Sequence, residues 1–176
     1  GFVAEGMELS LWSGQLAEKK GFKVYRESAE EFSRKHPTEY DVVTQWGVIE
    51  HLSDPALIVR QLCGVLKPGG VIAVWTGNPE GGMARLLGRR WWHWMGQHIQ
   101  YFTSKSLKKL LEDNGYEFLE EAIYPYAASY ETVSNSLRRY PLHALTCALV
   151  RPMFMLKSVW YLRLPGEMFV LARKPR

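Results

Sequence analysis

The sequence predicts an α/β fold built on a parallel sheet, and three neighbouring segments carry that prediction. Tyr40–Thr44 (YDVVT) reads as a buried strand. Asp54-Pro55 then opens a helix, a carboxylate cap followed by proline at the first helical position, where a missing N–H does no harm. Val71–Trp75 is almost wholly apolar. Strands with no polar face are covered on both sides, as in parallel sheets. Strand, helix and strand at this spacing form a right-handed crossover. The polar end of such a strand is where open α/β sheets hold their ligands.

The other elements follow from local signals. Val3–Glu8 is a short extended segment ending on an acid, and Ser10–Lys20 reads as a helix capped by Ser10 and stopped by Gly21. Lys23–Glu27 is a second short strand, and Glu30–Lys35 is one polar helical turn closed by Pro37. In the helix after Asp54, Ile58, Leu62, Val65 and Leu66 share one apolar face, and Lys67-Pro68-Gly69-Gly70 ends it. Gly77–Gly82 is a loop before the basic, aromatic stretch Arg85–Trp94. Thr103 or Ser104 caps another helix, with Leu107, Leu110 and Leu111 as its buried stripe and Gly115 as its stop. Tyr116–Tyr126 and Met168–Ala172 are strands. Between them Tyr130–Tyr161 is helical in pattern, broken by Pro141 and Pro152.

Length and composition bound the function classes. One domain of 176 residues can bury a substantial core. A net charge of +4 permits an acidic partner without requiring one. No long basic stripe supports nucleic-acid binding. Cys63 and Cys147, the only cysteines, lie in apolar settings without disulfide spacing and read as reduced packing residues. No secretory signal opens Gly1–Ser10, so the expected location is the cytoplasm. Leu142–Leu162 is the most apolar stretch, but Arg151, Pro152 and Lys157 interrupt it, which argues against a membrane-spanning helix.

With these residues placed, the chain resembles the carboxyl-terminal two-thirds of a class I S-adenosylmethionine-dependent methyltransferase. The resemblance rests on several motifs in order: Tyr40-Asp41-Val42-Val43, Val48-Ile49-Glu50-His51-Leu52, Asp54-Pro55, Leu66-Lys67-Pro68-Gly69-Gly70, Thr76, Asn78, His98, Phe102-Thr103 and Gly115-Tyr116. It implies a Rossmann-like methyltransferase sheet with helices on both faces, strand order 3-2-1-4-5-7-6, and strand 7 antiparallel. Residues 1–176 then form a partial methyltransferase domain, with a helical insertion over residues 130–164. The family's first strand and glycine-rich turn are missing from this sequence, as in a fragment or a truncated product. That strand sits mid-sheet, so the resemblance implies a gap. In the family's numbering Val3–Glu8 is the second strand, Lys23–Glu27 the third and Tyr40–Thr44 the fourth. Either the second strand shifts to pair with the fourth, or another chain fills the space; exposed strand edges favour self-association.

The same resemblance nominates site residues. Glu8, at the end of the second strand, can accept hydrogen bonds from both ribose hydroxyls of the cofactor S-adenosylmethionine, or can be a surface glutamate near a helix start. Ser28 and Ala29 stand at the adenine position, with a serine where the family usually has an acid. Gln45 and Trp46 close the fourth strand at the cleft mouth, Trp46 either covering the sulfonium region or roofing the core. His51 is the candidate general base toward a substrate hydroxyl, though Glu50-His51 can equally order the loop before the capped helix. Some quinone O-methyltransferases of this clan bind a divalent metal through a carboxylate three residues before such a pair. Gly47 stands there, so no metal is expected.

Arg85, Trp91 and His98 fall on the substrate side of the cleft, unless the stretch is a helix with buried tryptophans and outward arginines. Residues 141–162 suit a helix lying on a membrane or over a lipid-like substrate, or a cap or dimer face. The implied activity is methyl transfer to a small sugar, lipid or quinone-like acceptor; the alternative is an inactive binding or assembly module.

Overall fold

The computed structural model describes every residue except 139, 141, 157 and 164, and the side chain of Tyr126. The Pro141 break and the Arg139 and Lys157 charges therefore lie outside the described residues.

Strands β1 (Glu5–Met7) and β2 (Lys23–Tyr25) run parallel, joined by helix α1 (Leu11–Lys19). Ser10 caps α1, its hydroxyl accepting from Ser13 N. Helix α2 (Ala29–Lys35) starts at Ser28 in a full capping box with Glu31. Strand β3 (Tyr40–Trp46) leads through a 3-10 turn, Ile49–His51, into α3 (Pro55–Val65). The Asp54 carboxylate accepts from Leu57 N at 2.9 Å, as the Asp-Pro pair predicts. Strand β4 (Leu66–Gly77) pairs parallel with β3, closing the crossover. The Lys67–Gly70 stop lies within that strand as an irregularity, where the register jumps between Tyr40 and Val42.

After α4 (Gly82–Leu87) and a 3-10 turn at Gly88–Arg90, Thr103 caps α5 (Ser104–Asp113). The stretch Arg85–Trp94 is thus not one continuous helix. Gly21 and Gly115, at φ +88° and +94°, follow α1 and α5 in the left-handed region that glycine enters at low cost. Strand β5 (Glu117–Ala122) is shorter than the sequence suggests, because Tyr126 opens a separate strand, β6 (Tyr126–Ser129). Helices α6 (Tyr130–Leu137) and α7 (His143–Leu156) follow, then β7 (Val159–Leu162), antiparallel to β6. The insertion is therefore helical with a two-stranded clasp at its base. Pro152 sits inside α7 and does not break it; its ring lies on the exposed side, and it removes a single ladder donor.

Strand β8 (Glu167–Arg173) lies between β4 and β5, antiparallel to both, giving the order β3-β4-β8-β5. One face of this sheet carries Ile72, Val74, Val170 and Ala172, all fully buried with Val59 and Val65 of α3 and Leu107 and Leu111 of α5. Phe32 of α2 joins the same cluster. Truncating either leucine to alanine should cost about 2–5 kcal/mol.

β1 and β2 form their own two-stranded sheet, and β1 shares no ladder with β3. Of the two alternatives for the gap, the shift of Val3–Glu8 onto Tyr40–Thr44 does not occur. A cavity of about 460 Å³ opens there, lined by Phe2, Val3, Glu5, Tyr40 and Val42 among others. A side-chain hydrogen bond links the two sheets instead: the Tyr40 hydroxyl of β3 donates to Glu5 Oε2 of β1, which also accepts from Tyr25 of β2.

Candidate active site

The carboxyl ends of β3 and β4 lie side by side, with Trp46 opposite Trp75 in the ladder. The chain leaves β3 at Gly47, whose N–H donates to Trp75 O at 3.0 Å, and then curls into the Ile49–His51 turn. That curl buries Glu50 and leaves His51 exposed. Glu50 is held from two sides. Its Oε2 accepts from Thr76 Oγ1 at 2.9 Å, and its backbone carbonyl accepts from Ile99 N and Gln100 N, both at 3.0 Å.

The loop thus anchored brings His98 to His51, with ring centroids 4.7 Å apart and nearly perpendicular planes. His51 Nδ1 lies 2.9 Å from Gln97 O. A carbonyl can only accept, so Nδ1 carries the proton and Nε2 presents its lone pair. Burial holds the His98 pKa below its ordinary value; the nearby Glu50 charge opposes that shift and His51 and His93 reinforce it. Glu50, His51 and His98 each offer a donor atom, all within 4.8 Å of one another. Two imidazoles and a carboxylate suit a divalent transition metal. The absence of a metal was expected from Gly47 alone; the fold adds His98 as a third donor.

Behind this group lies a buried aromatic layer. Trp91 is 1% exposed, and its ring contacts Trp92, His93 and Trp94. His93 Nε2 is 3.5 Å from Glu167 Oε1, which accepts from Trp92 Nε1 at 3.0 Å. Trp91 therefore packs beneath the cleft, while Arg85 lies exposed on α4. Of the substrate-side candidates, His98 is the one joined to His51.

The cofactor-side candidates are spread along the ends of β1, β2 and β3. Glu8 follows β1; one of its oxygens accepts from Ser10 N at 2.7 Å, leaving Oε2 for another donor. Ser28 spends its hydroxyl on the α2 capping box, and Ala29 is half-buried. Gln45 is 5% exposed, and its Oε1 has no hydrogen-bond partner among the described residues. An orphaned buried acceptor at a strand's ligand end fits a donor from a bound cofactor. Trp46 stays half-exposed, stacked on Phe169 at 5.5 Å and edge-on to Tyr124 at 4.9 Å.

Sequence reasoning missed Thr76 as the partner of Glu50, and the His93–Glu167 contact. Thr76 had a signal: it is a polar residue ending an apolar strand. The Gln97 carbonyl had none.

A family model described as a methyltransferase domain matches residues 1–121. The chain belongs to that family. This methyltransferase domain is 41% identical over 87 residues to a ubiquinone biosynthesis O-methyltransferase of Klebsiella pneumoniae, covering 46% of the chain and 36% of that protein. It is also 41% identical over 63 residues to the protein of the same description from Saccharophagus degradans, covering 35% and 27%. The matched stretches thus span well under half the length of these curated relatives. Among solved structures, a SAM-dependent methyltransferase of Methanosarcina mazei superposes with TM-score 0.61 at 16% identity, covering 97% of the chain and 81% of its own. The cyclase SpnF superposes with TM-score 0.60 at 18% identity, covering 97% and 65%. These likenesses establish the Rossmann-like methyltransferase fold; a fold of this kind carries more than one chemistry.

Proposed function

We propose that this domain takes part in S-adenosylmethionine-dependent methyl transfer to a hydroxyl of a small, quinone-like acceptor, with His51 as the base. The observation that carries the proposal is the His51–Gln97 hydrogen bond, which fixes a free imidazole Nε2 at the exposed rim of the cleft. The relatives of Klebsiella and Saccharophagus, described as O-methyltransferases of ubiquinone biosynthesis, support a hydroxyl acceptor.

The cofactor supplies an electrophilic methyl on a sulfonium, already activated. The chain's own residues supply position and a proton acceptor. Glu8 Oε2, just beyond β1, would accept from the ribose hydroxyls as acids do in such sheets, and the buried Gln45 Oε1 offers an acceptor at the end of β3. Ala29, with the Ser28 backbone, would border the adenine. The acceptor hydroxyl gives its proton to His51 Nε2. The Gln97 carbonyl keeps its hydrogen bond to Nδ1–H throughout, stabilising the imidazolium. Glu50, pinned by Thr76, adds a nearby negative charge. Trp46 gives the cleft an aromatic wall favourable to a cation.

His51→Gln tests the proposal. With a catechol as acceptor, turnover should fall by about 10²–10⁴-fold while S-adenosylhomocysteine affinity, read by calorimetry, stays unchanged. Unchanged turnover would remove His51 from the chemistry. A second reading, a binding module without methyl transfer, rests on the open space between β1 and β3. Absence of any binding heat with S-adenosylhomocysteine would favour it.

A further inference from the structure

We propose that the insertion docks this protein onto an anionic lipid surface, with α7 lying flat in the interface. The two sides of α7 differ in what covers them. Cys147, Val150 and Phe154 face inward, Phe154 meeting Tyr130 of α6 at 6.0 Å between ring centroids. The opposite side carries Leu145, Leu149, Pro152 and Leu156 at i, i+4, i+7 and i+11, flanked by Ala148 and Met155. Every one of these is exposed, Leu149 at 71%, Met155 at 80% and Leu156 at 87%. A helix apolar on all sides is normally enclosed. This one encloses only half of itself. Leu142 before the helix and Tyr161 on β7 are exposed as well.

Charge identifies the occupant. Residues 130–164 contain five Arg and Lys and a single acid, Glu131. The chain has 22 basic and 18 acidic residues, so removing those five and one leaves 17 of each elsewhere. The whole net charge of +4 resides in the insertion. Arg138, Arg151 and Arg163 are exposed, and none forms an ion pair among the described residues. Two copies of this face brought together would confront like charges with like. A bilayer rich in anionic headgroups satisfies both features, taking the leucines into the acyl boundary and the arginines at headgroup level. Among the described residues no helix is long and apolar enough to cross a membrane. At 14 residues α7 extends about 21 Å, enough to lie along one.

The insertion is tied to the cleft. The Tyr140 hydroxyl donates to Arg90 O at 3.0 Å, on the chain segment that leads to His98. Docking through α7 would therefore hold the cleft beside the lipid surface. The inference does not depend on the proposed reaction, because its test reads binding alone.

The test is co-sedimentation of the purified protein with vesicles of phosphatidylcholine alone, or of equal parts phosphatidylcholine and phosphatidylglycerol, alongside sedimentation velocity without lipid. The protein should bind the mixed vesicles, bind neutral ones weakly, and be released by salt. Replacing both Leu149→Glu and Leu156→Glu should abolish binding, with circular dichroism unchanged because both sites are exposed. Arg138→Gln and Arg151→Gln should each weaken partitioning about fivefold. No binding to the mixed vesicles would overturn the proposal. So would a wild-type dimer that the double glutamate variant converts to monomer, since the face would then be a contact between copies.

Discussion

The Tyr40 hydroxyl donates a 2.6 Å hydrogen bond to Glu5 Oε2, joining two strands that share no backbone ladder. The same oxygen accepts from Tyr25 at 3.0 Å, and Lys23 Nζ reaches the other oxygen at 3.2 Å. Tyr40, first among these partners, holds the Glu5 carboxyl below its ordinary pKa, partly opposed by burial. Tyr40→Phe should lower unfolding stability by about 1–2 kcal/mol, read from urea midpoints near neutral pH. A depressed carboxylate pKa stabilises the fold above the ordinary value of 4.5, and that contribution disappears as pH falls through the folded value. The difference between wild type and Y40F should therefore shrink in acid. A difference that stays constant would show that Glu5 does not carry the link.

Thr76→Val tests the clamp on Glu50. The two side chains are nearly isosteric, so the change removes the hydroxyl donor and leaves a buried carboxylate oxygen without it. The expected cost is about 1–3 kcal/mol in chemical denaturation. Thr76→Ser, which keeps the donor, should recover most of it. A loss in Thr76→Ser with Thr76→Val unchanged would point to the threonine methyl instead, since valine keeps that methyl and serine does not.

Signals acting within a few residues were legible: the caps at Ser10, Asp54 and Thr103, and the glycine stops at Gly21 and Gly115. The β3–α3–β4 crossover was legible too, from the Asp54-Pro55 helix start between two strand-length segments; β3 itself is not the buried strand expected, because it borders the gap, where Val42 is 48% exposed. The pairing of β6 with β7 was not. Four-residue strands carry little periodicity, and their partners lie thirty or more residues apart. The site divides along the same line. His51 and Glu50 announce themselves as neighbours, but the Glu50 carbonyl accepting from Ile99 and Gln100 is a tertiary contact with no local trace. Trp91 shows the opposite limit: its basic, aromatic setting left open a substrate wall or buried tryptophans with outward arginines, and packing against Trp92, His93 and Trp94 buries it.

His98 makes stability depend on pH in a stated direction. Burial, the largest cause, depresses its pKa below the ordinary 6.5, so the unfolded chain binds its proton more readily than the folded one. Stability should therefore rise as pH approaches 6.5 from below and level off above it. Urea unfolding between about pH 5 and pH 8 reads this window, where histidine titrates. His98→Gln should flatten the profile on the acid side. An unchanged slope would assign the acid sensitivity to another group.

Gly77 leaves no room for a side chain at the end of β4. A Cβ there would fall 2.6 Å from His93 Cγ and 2.8 Å from Nδ1, inside any real carbon contact. The imidazole cannot retreat easily, because its ring packs on Trp91 at 4.9 Å and Trp75 at 6.0 Å, and His93 is itself buried. Gly77→Ala should thus cost about 1–3 kcal/mol from overpacking. It should also perturb the near-ultraviolet dichroism of the tryptophan layer. His93→Ala alone should destabilise by opening a cavity. Combined with Gly77→Ala, it removes the clash, so the double variant should be more stable than the two separate losses add up to. Strict additivity in that double-mutant cycle would mean that the alanine methyl is accommodated by movement of β4, and that Gly77 and His93 do not constrain each other.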